Sequence, residues 1–315
     1  MAEITVGELL EEKEVILRLA VVAGHKGLNR KITVSDIDRP GVTLAGIYEH
    51  FRSERIQIIG MGEYTYLKML PKEQREETLK KFFSFYIPCV IVTRNLAPLE
   101  ELVKYANETN TPLLSTALNT GEFITQLKSY LDDKLAPTTI LHGVLVDVYR
   151  LGVLIMGESG IGKSECAIEL VRRGHFLVAD DVVEIKCKPG NVLIGYSKNV
   201  VRYLMELRGL GIIDVRSLFG ISSILNSTTI ELVIQLAEWE KINEIDRSGM
   251  EERNITILGV NVPEILLPVA PGRNLAVLVE IAALNQQLKK AGYNVVRELN
   301  YKLLQMLKKD DKSAL

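Results

Sequence analysis

The stretch that most constrains how this chain can fold is residues 153–164, Val-Leu-Ile-Met-Gly-Glu-Ser-Gly-Ile-Gly-Lys-Ser. Its last eight residues satisfy the pattern G-x-x-x-x-G-K-[ST] of a phosphate-binding loop. Four apolar residues before the loop predict a buried strand, and residues 166–174 have the amphipathic pattern of a helix that ends at a glycine. Strand, loop and helix in this order predict a nucleotide-phosphate or polyphosphate site rather than an incidental turn.

All eight loop residues are candidates for contact with phosphate. They are Gly157, Glu158, Ser159, Gly160, Ile161, Gly162, Lys163 and Ser164. The glycines let backbone N–H groups approach a phosphate closely, and the start of the helix adds its partial positive charge. We expect Lys163 to reach the outer phosphates and Ser164 to ligate Mg²⁺.

Composition limits the other classes of function. A chain of 315 residues with 47% hydrophobic and 25% charged residues is typical of a two-domain globular protein. Its net charge of −2 gives no overall attraction to nucleic acid or to membranes, and no apolar run is long enough to span a bilayer. The three cysteines are scattered, and no signal peptide is evident at the start. We therefore predict a cytoplasmic protein with reduced thiols that binds neither nucleic acid nor membrane.

The organisation of the chain favours an α/β fold in two domains. Residues 1–134 alternate strand-like and helix-like segments, which predicts an N-terminal α/β domain with a mostly parallel sheet. No chemical motif is concentrated there, so we interpret it as a regulatory or assembly domain. A short proline-containing segment near residues 135–138 marks the boundary, and residues 135–315 form the predicted catalytic domain with the phosphate loop.

Local patterns also predict individual elements. Thr5 and Glu8 have the spacing of a capping box, which predicts a helix over residues 6–13, and a strand is expected over residues 15–23. Pro-Gly-Asn at residues 189–191 predicts a hairpin. The other predicted segments are strands over 139–149 and 175–185, loops over 237–253 and 266–274, and helices over 71–86, 120–134, 275–290 and 294–309.

Asp180 and Asp181 are the most informative residues after the loop. They interrupt an apolar run, and phosphate-loop enzymes commonly deliver a carboxylate to the Mg²⁺ site at the end of such a strand. One acid can ligate Mg²⁺ through water, and the other can accept a proton from an attacking hydroxyl. The alternative is a strand-end turn, where Asp-Asp is common, but the apolar setting favours function.

Other polar residues leave two interpretations open. His142 lies among aliphatic residues and is more often a hydrogen-bonded core histidine than a catalytic one. Arg247 lies in a charge-rich loop, where an arginine is usually solvated. Glu206 and Arg208 lie in an apolar, glycine-containing segment, where they either pair with each other or Glu206 binds Mg²⁺. A second anion site is expected around the loop that contains Pro268, Pro271, Gly272 and Arg273.

These residues together resemble bacterial HPr kinase/phosphorylase, with which the chain shares five stretches in order. The stretches are His-Gly-Val-Leu-Val-Asp at 142–147, the loop at 157–164, Arg-Gly-His-Phe-Leu-Val-Ala-Asp-Asp at 173–181, Glu-Leu-Arg-Gly-Leu-Gly-Ile-Ile-Asp at 206–214 and Pro-Gly-Arg-Asn-Leu-Ala-Val at 271–277. Gly-Leu-Asn-Arg at 27–30 and Arg-Pro-Gly at 39–41 extend the resemblance to the N-terminal half. A phosphate loop alone is common to many families, whereas this ordered set is specific.

The resemblance implies a bifunctional enzyme whose C-terminal P-loop kinase domain is related to the carboxykinase-like core. Such an enzyme phosphorylates a serine of the phosphocarrier HPr with ATP or pyrophosphate, and removes the phosphate by phosphorolysis with inorganic phosphate, giving pyrophosphate. In this way it controls carbon catabolite repression and sugar uptake. The resemblance also implies a homohexamer that responds to fructose bisphosphate. It assigns catalytic roles to His142, Lys163, Asp181 and Arg247, and Mg²⁺ binding to Ser164 and Glu206.

Two positions depart from the family pattern. Ala270 stands where the family generally has a basic residue, in a loop associated with dephosphorylation, and Ile245 stands where an aromatic residue is expected. Two alternatives remain: a small-molecule kinase or carboxykinase-like enzyme on the same core, and a nucleotide-dependent switch whose N-terminal domain senses a ligand. A switch would not need Asp181 as a base, so phosphate transfer to HPr separates it from the kinase.

Overall fold

The computed structural model describes residues 2–198, 203–241 and 253–293. The chain divides into two compact units, Met1–Pro137 and Thr138–Leu315, each of which combines helices and strands. Among the described residues, no helix combines the length and the apolar character needed to cross a bilayer.

The first unit is built on a five-stranded sheet in the order β2-β7-β6-β5-β4. Strands β4 to β7 are parallel and β2 is antiparallel to β7, so the predicted mostly parallel sheet is confirmed. The elements are β1 (Ile4–Thr5), α1 (Val6–Leu17), β2 (Leu19–Ala23), β3 (Lys31–Ile32), β4 (Ile37–Asp38), α2 (Gly41–Leu44), β5 (Ile56–Ile59), α3 (Met61–Met69), α4 (Lys72–Phe82), β6 (Val90–Val92), α5 (Glu100–Glu108), β7 (Leu113–Thr116) and α6 (Thr120–Lys134).

Alternation along the strands gives this sheet two buried faces. In β6, Ile91 joins the core beneath α1 and α6, whereas its neighbours Val90 and Val92 join the core beneath α3, α4 and α5. Successive side chains of a strand point to opposite faces, so three consecutive apolar residues fill both cores. The continuous apolar runs in the sequence therefore correspond to strands covered by helices on both sides.

The expected strand over residues 15–23 is wrong in its first part. The capping box forms as predicted, with Thr5 N donating to Glu8 Oε2 at 2.6 Å and Glu8 N to Thr5 Oγ1 at 3.1 Å. The helix then continues to Leu17, whose side chain is buried, and it stops at Arg18, where φ is 48°. Tertiary burial of the apolar face, rather than local propensity, lengthens the helix at the expense of the strand.

The second unit contains a nine-stranded sheet in the order β11-β9-β10-β16-β13-β12-β8, with β18 also beside β16 and β17 beside β18. Helices α7 and α9 pack against the core on one face of this sheet. The elements are β8 (Thr138–His142), β9 (Val144–Val148), β10 (Leu151–Met156), α7 (Lys163–Arg172), β11 (Phe176–Ala179), β12 (Val182–Lys188), β13 (Val192–Ser197), β14 (Leu204–Leu207), β15 (Gly211–Asp214), α8 (Val215–Phe219), β16 (Ser227–Glu238), β17 (Arg253–Ile257), β18 (Val260–Val269) and α9 (Leu275–Lys290).

Strand direction brings four strand ends to one edge of this sheet. Strand β16 is parallel to both β10 and β18. Strand β9 is antiparallel to β10 and to β11, so β11 runs in the same direction as β10. The carboxyl ends of β10, β11, β16 and β18 therefore lie at the same edge, which is where ligands bind in many open α/β sheets.

Two expected strands are each divided in two. The predicted strand over 139–149 breaks at Gly143, where an added Cβ would lie 2.7 Å from the Ile155 carbonyl oxygen, so β8 and β9 have different partners. The predicted strand over 175–185 breaks at the two acids, because Asp181 has a φ of 67° and redirects the chain from β11 into β12. The hairpin at 189–191 is confirmed by the pairing of β12 with β13.

The expected loop over 266–274 is also partly wrong. Strand β18 continues to Val269, with Pro268 opposite Ala237 of β16. Strand β17 pairs with β18 from Val260 to Glu264, and among the described residues no strand pairs with Pro268 on that side of β18, where the missing N–H of a proline is tolerated. The helix over 275–290 is confirmed, whereas the predicted helix over 294–309 lies outside the described residues.

Candidate functional site

The glycine-rich loop joins the end of β10 to the start of α7, as the sequence predicts. Gly157, Gly160 and Gly162 all have positive φ, at 148°, 83° and 101°. A Cβ on Gly157 would lie 2.7 Å from the Leu236 carbonyl oxygen of the neighbouring strand β16. The loop therefore needs glycine for its backbone conformation and for its close approach to the sheet.

Lys163 is the first residue of α7 and curls back over the loop. Its Nζ donates to the carbonyl oxygens of Gly157 and Glu158, at 2.9 Å each. These two hydrogen bonds place the ammonium group within the loop, at the amino-terminal end of the helix. The helix start and the lysine both favour negative charge at this position, which suits a phosphate group.

The two adjacent acids have different surroundings. Asp180 is 9% exposed, and its Oδ1 accepts a hydrogen bond from Ser164 Oγ at 3.1 Å. Burial raises the pKa of Asp180 to about 6, because a carboxylate loses its hydration there. Asp181 has a side chain that is 78% exposed. The structure thus separates a buried acid beside the loop serine from an exposed acid at the cleft.

His142 lies beside Asp181 through backbone pairing. It pairs with Val182 in the β8–β12 ladder, and the backbone N–H of Gly143 donates to the Asp181 carbonyl at 3.0 Å. The His142 Nδ1 and Asp181 Oδ1 atoms are 3.8 Å apart, and the histidine side chain is 81% exposed. The interpretation of His142 as a core histidine is therefore wrong.

The hairpin formed by β14 and β15 supplies another wall of the cleft. Met205 and Leu207 are buried in the core on the α7 face of the sheet. Because side chains alternate along a strand, Leu204, Glu206 and Arg208 fall on the other side, and all three line the cleft. No ion pair joins Glu206 to Arg208 in the described parts of the chain, so the first of the two interpretations, a mutual ion pair, is wrong.

Arg208 instead packs against the phosphate loop. A Cβ added to Gly160 would lie 2.6 Å from Arg208 Cζ and 2.8 Å from Nη1, and nearer still to Nη2. The guanidinium group therefore occupies the space that the missing side chain of Gly160 leaves. This contact was not predicted from the sequence. One signal was available, because the two-residue spacing on a strand places Arg208 on the same side as the candidate Mg²⁺ ligand Glu206.

These elements enclose a cleft of about 420 Å³ that is mainly polar in character. It is lined by Ser159, Gly160, Gly162, Lys163, Ser164, Glu165, Asp180, Asp181, Leu204, Met205, Glu206, Arg208 and Ile212. Of the predicted site residues it thus includes most of the loop, Asp181 and Glu206. Asp180, the other acid of the predicted pair, also lines the cleft, and its hydrogen bond to Ser164 is a contact that spacing alone could not reveal.

The donor set in the cleft fits a Mg²⁺ ion. In the part of the chain that the structure describes, no group of three or more His, Cys, Asp or Glu side chains could hold a metal by themselves. Mg²⁺ does not need such a group, because it usually keeps several waters and binds one or two carboxylates together with substrate phosphates. The Ser164 hydroxyl beside the Asp180 carboxylate, with Glu206 on the same cleft, provides oxygen ligands of that kind.

The residues predicted to form a second anion site lie at the end of β18 and in the turn that follows it. Arg273 Nη1 donates to the Pro268 carbonyl oxygen at 3.2 Å, and its guanidinium carbon lies 5.5 Å from the centre of the Trp239 ring. Because β10, β16 and β18 are parallel, this arginine lies at the same sheet edge as the phosphate loop. Pro271 and Gly272 form the turn before it. Trp239 was not singled out from the sequence.

One residue of the shared stretches lies away from the cleft, and one predicted catalytic residue, Arg247, is outside the described residues. Asp147 lies at the opposite end of β9 from Gly143, where it accepts hydrogen bonds from Arg150 N at 3.0 Å and Thr228 Oγ1 at 2.8 Å. Asp147 therefore secures the turn between β9 and β10 and does not face the cleft.

A strand, a glycine-rich loop and a helix that together present a lysine, a serine and carboxylates to one cleft are the arrangement of a P-loop phosphotransferase. Residues 4–131 match the family model described as the HPr Serine kinase N terminus, and residues 133–303 match the HPr Serine kinase C-terminal domain.

Two relatives that match more than nine tenths of the chain agree with these matches. The HPr kinase/phosphorylase of Caldanaerobacter subterraneus subsp. tengcongensis is 47% identical over 307 residues, covering 98% of this chain and 99% of the relative. That of Thermoanaerobacter sp. (strain X514) is 48% identical over 291 residues, covering 92% and 95%. The solved HPr(Ser) kinase/phosphatase from Coxiella burnetii is 40% identical over 51% of this chain and 98% of that chain, with a TM-score of 0.46. The chain belongs to the HPr kinase/phosphorylase family, which confirms the predicted family, fold class and enzyme class.

Proposed function

We propose that this protein transfers a phosphoryl group from ATP or pyrophosphate to a serine of the phosphocarrier HPr, and that it reverses the modification by phosphorolysis. The observation that carries the proposal is the position of Asp181. Its exposed carboxylate shares one cleft with Lys163 and Ser164 of the phosphate loop, so a serine on another protein can reach both a base and a bound phosphate. The relatives of this chain that are named HPr kinase/phosphorylase support the same substrate.

In the forward direction, Asp181 accepts the proton of the attacking serine hydroxyl. The serine oxygen forms a bond to the terminal phosphorus of the donor, and the bond from that phosphorus to the leaving phosphate oxygen breaks. His142 Nδ1 lies 3.8 Å from Asp181 Oδ1, and we propose that His142 acts with this carboxylate in catalysis. ADP, or phosphate when pyrophosphate is the donor, leaves the loop.

In the reverse direction, inorganic phosphate occupies the loop and attacks the phosphorus of phosphoserine. The bond to the serine oxygen breaks, protonated Asp181 returns its proton to that oxygen, and pyrophosphate forms. One carboxyl group thus serves as base in one direction and as acid in the other. Both directions use the same loop because each places a phosphoryl group beside Lys163.

The remaining predicted residues complete the proposal. Bound Mg²⁺, held by Ser164 and Glu206 with Asp180 nearby, would offset the negative charge of the phosphates. Arg247 keeps its proposed catalytic role, and the loop that contains Arg273 is proposed to bind phosphate or phosphoserine during dephosphorylation. A cytoplasmic location, a homohexamer, a response to fructose bisphosphate and the control of carbon catabolite repression belong to the same proposal.

Incubation with HPr, Mg²⁺ and either ATP or pyrophosphate tests the proposed reaction directly. Asp181→Asn keeps the shape but removes proton acceptance, so transfer should fall about 10²- to 10⁴-fold while ATP still binds. Glu169→Gln is a matched control, because it removes one carboxylate from the surface of α7, where Glu169 pairs with Arg172 and Arg173. Its transfer rate should stay near that of the wild type.

The outcomes separate the alternatives. Wild-type turnover in Asp181→Asn would make Asp181 structural and point to Asp180 as the base. Binding of ATP by the wild type without transfer to HPr would instead favour the nucleotide-dependent switch. Lys163→Ala should abolish both directions together, and phosphorolysis that survives this change would contradict the shared phosphate site.

A further inference from the structure

We propose that Arg208 is a further catalytic residue, which binds an outer phosphate of the donor across Gly160 and stabilises the charge of the transferring phosphoryl group. The inference rests on the proposed function in one respect: phosphoryl groups occupy the loop of residues 157–164. In this proposal the β14–β15 hairpin supplies a second cation, Arg208, to the phosphate site beside Lys163.

The first support is the contact itself. The Arg208 guanidinium lies on Gly160, so close that a Cβ there would be 2.6 Å from Cζ. Gly160 is in the middle of the loop whose backbone N–H groups face phosphate in this motif. A guanidinium on this glycine is therefore within reach of any phosphate that the loop binds, and only glycine leaves room for it.

The second support is the way the hairpin is held. Met205 and Leu207 are buried beside α7, the helix that follows the loop, and this fixes β14 relative to the phosphate site. Arg208 begins the turn between β14 and β15, at the end of this anchored strand. The side chain thus starts from a positioned backbone while its charged end stays exposed in the cleft.

The third support is charge. Across residues 2–198, 203–241 and 253–293, the structure gives Arg208 no ion pair and no hydrogen bond, although Glu206 is two residues away on the same side of the strand. Lys163, which also lines the cleft, donates to the carbonyl oxygens of Gly157 and Glu158. A phosphate in the loop would supply the anionic partner that Arg208 lacks.

The chemistry suits an arginine better than a second lysine. A guanidinium donates two parallel N–H bonds to two oxygens of one phosphate, and it remains charged throughout the reaction. No bond to Arg208 forms or breaks. Its contribution grows as negative charge spreads over the equatorial oxygens in the transition state, which is the role of an arginine finger in other P-loop enzymes.

Pyrophosphate binding, measured by calorimetry on the full chain with Mg²⁺, tests the site without HPr. Arg208→Gln should weaken pyrophosphate about ten- to a hundredfold, the value of a charge-assisted contact. Arg208→Lys keeps the charge but loses the pair of parallel N–H donors, so its pyrophosphate affinity should lie between those of the wild type and Arg208→Gln. Arg172→Gln removes the same charge from the far end of α7, and its affinity should match the wild type.

Transfer to HPr then tests the catalytic part. The kcat of Arg208→Gln at saturating donor should fall about a hundredfold or more, as expected for loss of an arginine that acts in the transition state. If Arg208→Gln binds pyrophosphate as tightly as Arg172→Gln does, the proposed phosphate contact is wrong. If the kcat of Arg208→Gln at saturating donor is unchanged, the catalytic role is wrong. A wild type that binds pyrophosphate through Arg208 but does not phosphorylate HPr would refute the proposed function alone.

Discussion

The contact between Gly160 and Arg208 predicts an energetic coupling between the loop and the hairpin. Gly160→Ala introduces a Cβ into the space of the guanidinium, which is the flexible end of its side chain and must move aside. The change also strains the backbone, because φ is 83° at this residue, at a cost of about 1–2 kcal/mol. Strain lowers stability in any background, whereas displacement of the arginine matters only when Arg208 is present.

A double-mutant cycle separates these two effects. With pyrophosphate as the ligand, Gly160→Ala should cost more binding free energy in the wild type than in Arg208→Gln. The difference should be about 1.5–3 kcal/mol, the contribution of one charge-assisted hydrogen-bonded contact. Calorimetry of the four proteins gives the coupling, and urea unfolding of the same proteins measures the backbone strain independently.

Gly162→Ala is the matched control within the same loop. Gly162 also has a positive φ, at 101°, but an added Cβ there meets no heavy atom within 4 Å. Its effect on pyrophosphate binding should therefore add to that of Arg208→Gln, within about 0.5 kcal/mol. If the effects of Gly160→Ala and Arg208→Gln on pyrophosphate binding also add, the steric link between the loop and Arg208 is refuted. The same holds if Gly160→Ala and Gly162→Ala show equal coupling energies with Arg208→Gln.

Three other changes have defined outcomes. Glu101 is 8% exposed and its pKa is lowered by its hydrogen bond to Arg75 at 2.6 Å, so Arg75→Met should cost about 3–5 kcal/mol of unfolding free energy at pH 7. The ion pair stabilises the wild type fully above the ordinary carboxyl pKa of 4.5, and this stabilisation is lost as the pH falls through the lowered pKa of Glu101 in the folded protein. Urea unfolding at about pH 3 should therefore show a smaller difference in unfolding free energy between the wild type and Arg75→Met. An equal difference at both pH values would contradict the ion-pair origin. Asp147→Ala should cost about 1–3 kcal/mol of stability by leaving its two donors unpaired, while pyrophosphate affinity stays unchanged; a loss of affinity would place Asp147 in the site. Ala270→Arg should raise phosphorolysis about ten- to a hundredfold, mainly through a lower KM for phosphate beside Arg273, with kinase turnover little changed. Both rates across a phosphate titration measure this last effect, and unchanged phosphorolysis would show that residue 270 does not meet the phosphate.

Elements with strong local signals were predictable from the sequence. The helix over Thr120–Lys134 forms as predicted, with Asn119 Oδ1 accepting from the backbone N–H of Glu122. The strand, loop and helix around Gly157 and the hairpin at 189–191 also follow their patterns. In each case the determining interactions lie within a few residues, so the sequence carries nearly all of the information.

Long strands were predicted less well, because periodicity does not show where a chain changes partners. The runs over 139–149 and 175–185 look continuous, yet each contributes to two strands with different neighbours. Gly143 permits one break by its close approach to Ile155, and the positive φ of Asp181 makes the other. Burial patterns were equally ambiguous for His142, which lies among aliphatic residues in sequence but is exposed in the structure.

The sequence alone predicted a phosphate-binding loop at residues 157–164, because the glycines, lysine and serine of this motif lie within eight consecutive residues. Only the tertiary structure decided how the two adjacent acids differ. Asp181 has a left-handed backbone conformation and an exposed side chain, whereas Asp180 stays buried against Ser164. The tertiary structure also decided that Arg208 meets Gly160, far away along the chain. Strand order and the packing of the hairpin on α7 create that contact, and both depend on long-range burial that no local pattern records.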